Sequence, residues 1–402
     1  MAAGKFMPVT FTRHVFVAVA AIVSLVLVSC GSAQPATPAD DPLPTTAPVE
    51  YPEPGDVVDA RDWVSTTDLA PDLRGVRMLY RSTDTSGKPN VVSGTVFQPE
   101  GSPPGGGWPV VALGHGSTGI NTNCAPSLTG NLYGLARLVT TYLRAGMAVT
   151  LADYAGLGSE SGPHPYLDPY SAARTMIDSV RAIRQVYPQV STSWVTYGIS
   201  QGAGASWAAN EMAASYAPDL RLRGAVAQVP PTSKVPVVDL AAAGALTSEQ
   251  QGSLQWMEES LARRNPDMNR DDYRRGALAQ QWDALSACAE SSDREQAAKL
   301  ISAPDFIPAS PAATARLREL MQQLALPRAP LSAPLLVLYG GQDKFNDPAW
   351  TSAAIRDQCF LGGPVTVDLQ PTAGHGTVKT TGILPYLVDR LVGAPVRDDC
   401  RS

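Results

Sequence analysis

Histidine is scarce in this 402-residue chain: His14, His115, His164 and His375 are the whole supply. Any chemistry that needs an imidazole can therefore be assigned almost by elimination. The five cysteines form no C-x-x-C pair, which excludes the common zinc and dithiol redox motifs. Acids exceed bases, giving a formal net charge of −6, so there is no basic surface to attract nucleic acid. No internal repeat is evident, which excludes solenoids and propellers. The apolar run Val15–Val28 is about fourteen residues long, short of the roughly twenty that a spanning helix needs. What is there, 44% hydrophobic and 17% charged, describes an ordinary globular chain.

That apolar run follows Lys5, Arg13 and His14 and suits the core of a signal peptide. It ends in Leu27-Val28-Ser29-Cys30, which resembles the lipobox of bacterial lipoproteins; the resemblance implies that Cys30 becomes an acylated N-terminus. Two or more acyl chains hold a protein firmly to a membrane. The plainer reading is an ordinary signal peptide with an incidental cysteine. From Gly31 to Pro54 the chain is Pro, Ala, Thr and Asp, too poor in apolar surface to offset the entropy of ordering, and so reads as a tether. The expected organisation is a signal peptide over 1–29, a tether over 30–55, a core over 56–231 and 328–402, and a helical insertion over 232–327. With Cys30 set aside, Cys124, Cys288, Cys359 and Cys400 remain. An even number in an exported chain predicts two disulfides, with three pairings open.

The folded part is organised around Trp194–Ala205, which reads WVTYGISQGAGA. Strand-forming residues run into a serine framed by Gly198 and Gly202, followed by small residues: the form of a nucleophile turn between a strand and a helix. Around it, Gly75–Gln98 reads as a hairpin. Pro109–Leu113, Met147–Leu151, Leu222–Val229, Leu335–Tyr339 and Val365–Leu369 read as buried strands. Asn131–Ala145, Tyr170–Tyr187 and Ile383–Leu391 have helical spacing. Alternating strands and helices imply an α/β fold, a mostly parallel sheet covered on both faces. Thr232–Leu326 lacks a strand signal and carries helical patches at Leu254–Leu261, Tyr273–Leu285 and Ala312–Leu324. Lying between two consecutive strands, it reads as a helical cap over the site, or more simply as a structural insertion.

A serine nucleophile needs a base, and the base needs an orienting acid. His375 sits in the glycine-flanked loop Ala373–Gly376 after the last strand and is the candidate base. His14 belongs to the leader and His164 lies between two prolines. Asp343, four residues past Tyr339, is the candidate acid; Asp347 competes, but its neighbour Pro348 suggests a helix cap instead. The order Ser200, Asp343, His375 is that of the α/β-hydrolases.

The motifs YGISQG, LYGGQD and AGHG resemble the α/β-hydrolase superfamily over nearly all of the mature chain, and within it the secretory lipase family, whose large helical cap falls where the insertion lies. Ala152–Gly158 and His164–Leu167 add to the likeness; Ala203 departs from it, standing where many relatives have Gly. The resemblance implies the pairing Cys124 with Cys288 and Cys359 with Cys400. Gly114-His-Gly-Ser-Thr-Gly119 matches a dinucleotide fingerprint in form, but Ile120–Pro126 is loop and no acid stands about twenty residues on. It resembles instead the H-G loop of these hydrolases, with His115 and Gly116 in support of the site. The oxyanion donors would then be the N–H of Gln201 and a group of Ser117, backbone or hydroxyl.

Asp153 and Tyr154 read as a buried brace, or as catalytic groups; Trp256 and Trp282 as cap core, or as lining of an acyl pocket. The implied function is a serine lipase or esterase acting on acyl esters of lipids or small acylated compounds. It needs no metal or organic cofactor and binds no nucleic acid. Its place would be outside the cell or held at the membrane through an N-terminal lipid anchor. An acyltransferase using the same three residues, or a non-catalytic lipid-binding lipoprotein, are the alternatives.

Overall fold

The computed structural model describes residues 53–401. The expected signal peptide, Cys30 and nearly all of the tether lie outside these residues. The strands are β1 (Val57–Val64), β2 (Arg74–Thr83), β3 (Pro89–Phe97), β4 (Trp108–Gly114), β5 (Ala148–Ala152), β6 (Val190–Ile199), β7 (Arg221–Gln228), β8 (Leu335–Gly340) and β9 (Val365–Gln370). They form one sheet in the order β1-β2-β3-β5-β4-β6-β7-β8-β9. The first three strands and the β3–β5 pair are antiparallel, and every pair from β5–β4 to β8–β9 is parallel.

The period of two along each strand sends alternate side chains to opposite faces. On one face Val110, Ala112, Trp194, Ala225 and Val337 pack against helices α2 (Pro169–Val186) and α3 (Gln201–Tyr216), through Met176, Ile177, Ala203 and Trp207. On the other, Val111, Leu113, Val195, Val226 and Leu338 pack against α1 (Ala136–Arg144) and α10 (Ile383–Leu391), through Val139, Tyr142 and Leu387. Burial on both faces is why these strands read as continuous apolar runs. β5 and β8 are buried along their whole length.

Two local expectations change. The helix expected from Asn131 begins at Ala136, because Leu132 and Tyr133 adopt left-handed backbone with φ of 53° and 51°. The N–H of Tyr133 donates to Asn131 Oδ1 at 3.0 Å, an Asx turn. Leu132 and Leu135 still reach the core, so their spacing imitated a helix. The edge strand β1 has no counterpart in the sequence reading; its residues are mostly exposed, and its apolar and charged residues do not alternate with a period of two.

Between β7 and β8 lie five α-helices, α4 (Val235–Ala242), α5 (Ser248–Arg264), α6 (Gly276–Leu285), α7 (Ser292–Ala298) and α8 (Pro311–Gln322); α9 (Pro348–Leu361) follows β8. This segment has its own apolar core, including Leu254, Met257, Leu261, Trp282, Phe306 and Leu317, into which Ile120, Tyr166 and Leu167 of the preceding loops are folded. Cys124 is bonded to Cys288, tying the loop after β4 to the insertion, and Cys359 to Cys400, tying α9 to the chain's last turn. Among the described residues no helix is long and apolar enough to cross a membrane.

Candidate active site

Ser200 stands between β6 and α3 with φ 52° and ψ −116°, a conformation that costs an ordinary residue about 1–3 kcal/mol. The turn closes so tightly that a Cβ on Gly198 would fall 1.8 Å from the carbonyl oxygen of Gly202. A Cβ on Gly202 would fall 2.2 Å from the Gly114 backbone of β4. Both positions therefore need glycine for the close approach of three backbones. The N–H of Ser200 donates to Gln228 O at 2.9 Å, and Ser200 O accepts from Ala203 at 2.8 Å, so the turn is held from both sides. The first N–H groups of α3 have no intrahelical acceptor and point their partial positive charge toward this end.

His375 lies on the loop after β9, where its Nε2 is 3.0 Å from Ser200 Oγ and its Nδ1 is 2.8 Å from Asp343 Oδ2. A carboxylate only accepts, so the proton sits on Nδ1 and Nε2 is free to accept from the serine hydroxyl. Asp343 is buried, and its other oxygen accepts the N–H groups of Phe345 and Asn346 at 2.8 and 2.9 Å. The two loops approach through glycine: a Cβ on Gly340 would meet Ala373 O at 2.1 Å. Asp347 takes no part; it caps α9 by accepting from Ala349 N at 2.8 Å. The His375 side chain is 28% exposed, so solvent reaches the imidazole.

His115 is buried, with Nδ1 2.6 Å from Gly116 O and its ring stacked 4.2 Å from that of Tyr154. Tyr154 donates to His115 O at 3.1 Å. Asp153 accepts from Ser93 Oγ, Ser127 Oγ and Ser127 N at 2.5, 2.5 and 2.9 Å. These contacts fix the loop after β4 to the loop after β5 and engage both Asp153 oxygens with Ser93 and Ser127. A Cβ on Gly116 would stand 4.0 Å from that of Ser200, which places this loop beside Ser200. Ser117 Oγ is 2.7 Å from Tyr166 Oη, and Tyr166 Oη is 3.4 Å from Ser253 Oγ on α5.

His164 donates from Nδ1 to Ala155 O at 2.7 Å and accepts at Nε2 from the Gln201 side chain at 3.1 Å. Burial pushes its pKa down to about 3, so it stays a neutral acceptor that orients Gln201. Trp256 meets Tyr166 edge-on at 5.6 Å with the Arg294 guanidinium over its ring, and Trp282 donates to Glu259; both lie buried in the insertion. The insertion also reaches the acid loop, where Thr247 Oγ1 donates to Lys344 O at 3.1 Å.

Sequence reasoning missed Lys234 and Asn346. Lys234 is buried just beyond β7; its ammonium donates to Asn346 Oδ1 and stands 4.6 Å above the Phe345 ring. Asn346 in turn donates to Val229 O at 2.9 Å. The available signal was a lone charge inside an otherwise uncharged stretch, Val229–Val238, in a chain with few lysines. Among the described residues, no cluster of three His, Cys, Asp or Glu side chains is placed to hold a metal ion.

Residues 132–292 match the family model described as secretory lipase. The chain is 29% identical over 208 residues to a protein of Mycobacterium tuberculosis named a probable inactive lipase, a match covering 48% of this chain and 46% of that one. The chain thus spans about half the length of that relative. It is 24% identical over 409 residues to lipase A of Arthroderma benhamiae, covering 92% of this chain and 82% of the other. The structure of Candida antarctica lipase A in its closed state superposes with a TM-score of 0.67 at 18% identity, covering 86% of this chain and 84% of that one. Together with the sheet order and the covering helices, this likeness establishes the α/β-hydrolase fold.

Proposed function

We propose that the chain is a serine carboxylic-ester hydrolase, a lipase or esterase acting on acyl esters of lipids or small acylated compounds. The observation that carries this reading is the unbroken relay from Ser200 Oγ to His375 to Asp343, at 3.0 and 2.8 Å. In it, His375 Nε2 takes the serine proton as Oγ attacks the ester carbonyl, and Asp343 supports the imidazolium that forms. The oxyanion falls to the N–H of Gln201, at the first position of α3, and to a donor of Ser117. His375 then protonates the leaving alcohol, and water, activated by the same imidazole, releases the acyl group from Ser200.

The wider reading follows from the chain's parts. Residues 232–327 act as a cap over the site, and Tyr166, Ser253 and Thr247 are its links to the loops on either side of Ser200. The likeness to secretory lipases supports export, and the run before Cys30 supports a lipid anchor. The mycobacterial relative's name favours a second reading, a lipid-binding protein with a lapsed site. A lapsed site has no need to keep a strained serine, an imidazole and a buried acid in register, which weighs against it. An acyltransferase would use the same relay with an alcohol in place of water.

Hydrolysis of a short p-nitrophenyl ester by the wild type and by Ser200→Ala tests the assignment. The variant should lose about 10⁴–10⁶ in kcat. Equal turnover by both proteins would sink it. Added alcohol acceptor that yields a new ester as the main product would shift the reading to acyl transfer.

A further inference from the structure

A cation stands behind the Asp343–His375 pair with no role in the relay described above. Lys234 is 3% exposed and, among the described residues, makes no ion pair at contact distance. Its ammonium donates to Asn346, whose backbone N–H donates at 2.9 Å to the Asp343 oxygen that does not face the histidine. Nζ also lies 4.6 Å from the centroid of the Phe345 ring, and that ring meets the His375 imidazole, tilted, at 4.8 Å between centroids. Both arms of the acid–base pair are therefore in touch with one buried amine through a single intervening residue.

We propose that Lys234 is a positioning residue of this pair: it holds the acid loop 343–346 through Asn346, and through the Phe345 ring its charge opposes the charging of His375. The inference rests on the reading of Ser200, His375 and Asp343 as the catalytic set. Burial lowers the Lys234 pKa to about 7, with the Asp343 charge acting the other way. The amine thus changes charge in the range where an imidazole does. Of the titratable groups near it, Asp343 from the loop after β8 acts on it by charge, and His375 from the loop after β9 touches the Phe345 ring it lies on. Asp239 on its own helix is exposed and paired with Arg318 of α8, and Asp347 is exposed on the cap of α9.

The test is the titration of the His375 ring, followed by NMR in the folded wild type, Lys234→Met and Lys234→Gln, beside the pH profile of kcat/KM. His164 stays neutral to about pH 3, which leaves its signal flat in the working range. Removing a cation about 9 Å or less from the imidazole should raise the His375 pKa by about half a unit or more in both variants. Glutamine can still donate to Asn346, so its kcat should stay closer to the wild type than that of methionine. It also keeps the test open if the methionine variant does not fold. A purely structural lysine would lower kcat without moving the titration, and a His375 pKa within about 0.2 unit of wild type in Lys234→Gln would overturn the proposal. If the titration moves but the acid limb of kcat/KM does not, the positioning role stands and the hydrolase assignment falls.

Discussion

The Tyr166 phenol lies 2.7 Å from the Ser117 hydroxyl and 3.4 Å from that of Ser253 on α5, so one side chain bridges the loop beside Ser200 to the insertion. The Tyr166 backbone N–H donates to Ser260 Oγ on α5 at 3.0 Å, while Ser260 donates to His164 O at 2.6 Å. Burial raises the phenol's pKa, so it remains a neutral donor or acceptor at working pH. The ring itself is fixed edge-on against Trp256.

Tyr166→Phe keeps that packing and frees Ser117. If the Ser117 hydroxyl is presented to the oxyanion by this contact, kcat should fall about tenfold, with a stability loss near 1 kcal/mol. Adding Ser117→Ala should cost little more, since the two groups act as one unit. Steady-state kinetics of both single variants and the double variant, with thermal melts, measure the coupling. Full additivity would place the Ser117 donor on the backbone alone.

The bond between Cys124 and Cys288 spans 164 residues and sews the insertion to the loop after β4. It is reinforced by Ala289 N donating to Thr118 O at 2.8 Å and Asn121 donating to Ser286 O at 2.8 Å. Replacing both cysteines by serine should cost about 2–5 kcal/mol in denaturant unfolding. Activity should fall further than after loss of Cys359–Cys400, which lies at the far edge of the sheet. Comparison of the two double variants by melting and turnover checks the order.

His164 is buried neutral, with its pKa pushed down to about 3 from a free value near 6.5. Its folded-state value is depressed, so the unfolded chain binds the extra proton first. Stability is fully present above about pH 6.5 and is lost on acidification toward pH 3, at up to about 1.4 kcal/mol per pH unit. Replacing His164 by Gln should flatten this slope between pH 6 and 4, as read by urea titrations at about four pH values in that span.

Much of this was legible beforehand, because the informative signals were local. Buried parallel strands such as Leu335–Tyr339 are continuous apolar runs, and Gly198 and Gly202 mark the turn because no side chain fits there. Rarity did the rest for His375. Three kinds of information were not local. The pairing of four cysteines depends on which loops meet, and composition left it open. Leu132 and Leu135 showed a helical spacing that in fact belongs to an Asx turn. Lys234 and Asn346 lie 112 residues apart, so only the folded chain brings the amine to the acid loop.

Covalent capture of the nucleophile tests the central claim most directly. The folded protein is treated with a fluorophosphonate and the adduct is mapped by peptide mass spectrometry, with His375→Ala alongside. One adduct per chain, on Ser200, formed rapidly in the wild type and hardly at all in the variant, is the result this account predicts. An unlabelled Ser200 in a protein that still turns over esters, or equal labelling without His375, would contradict it.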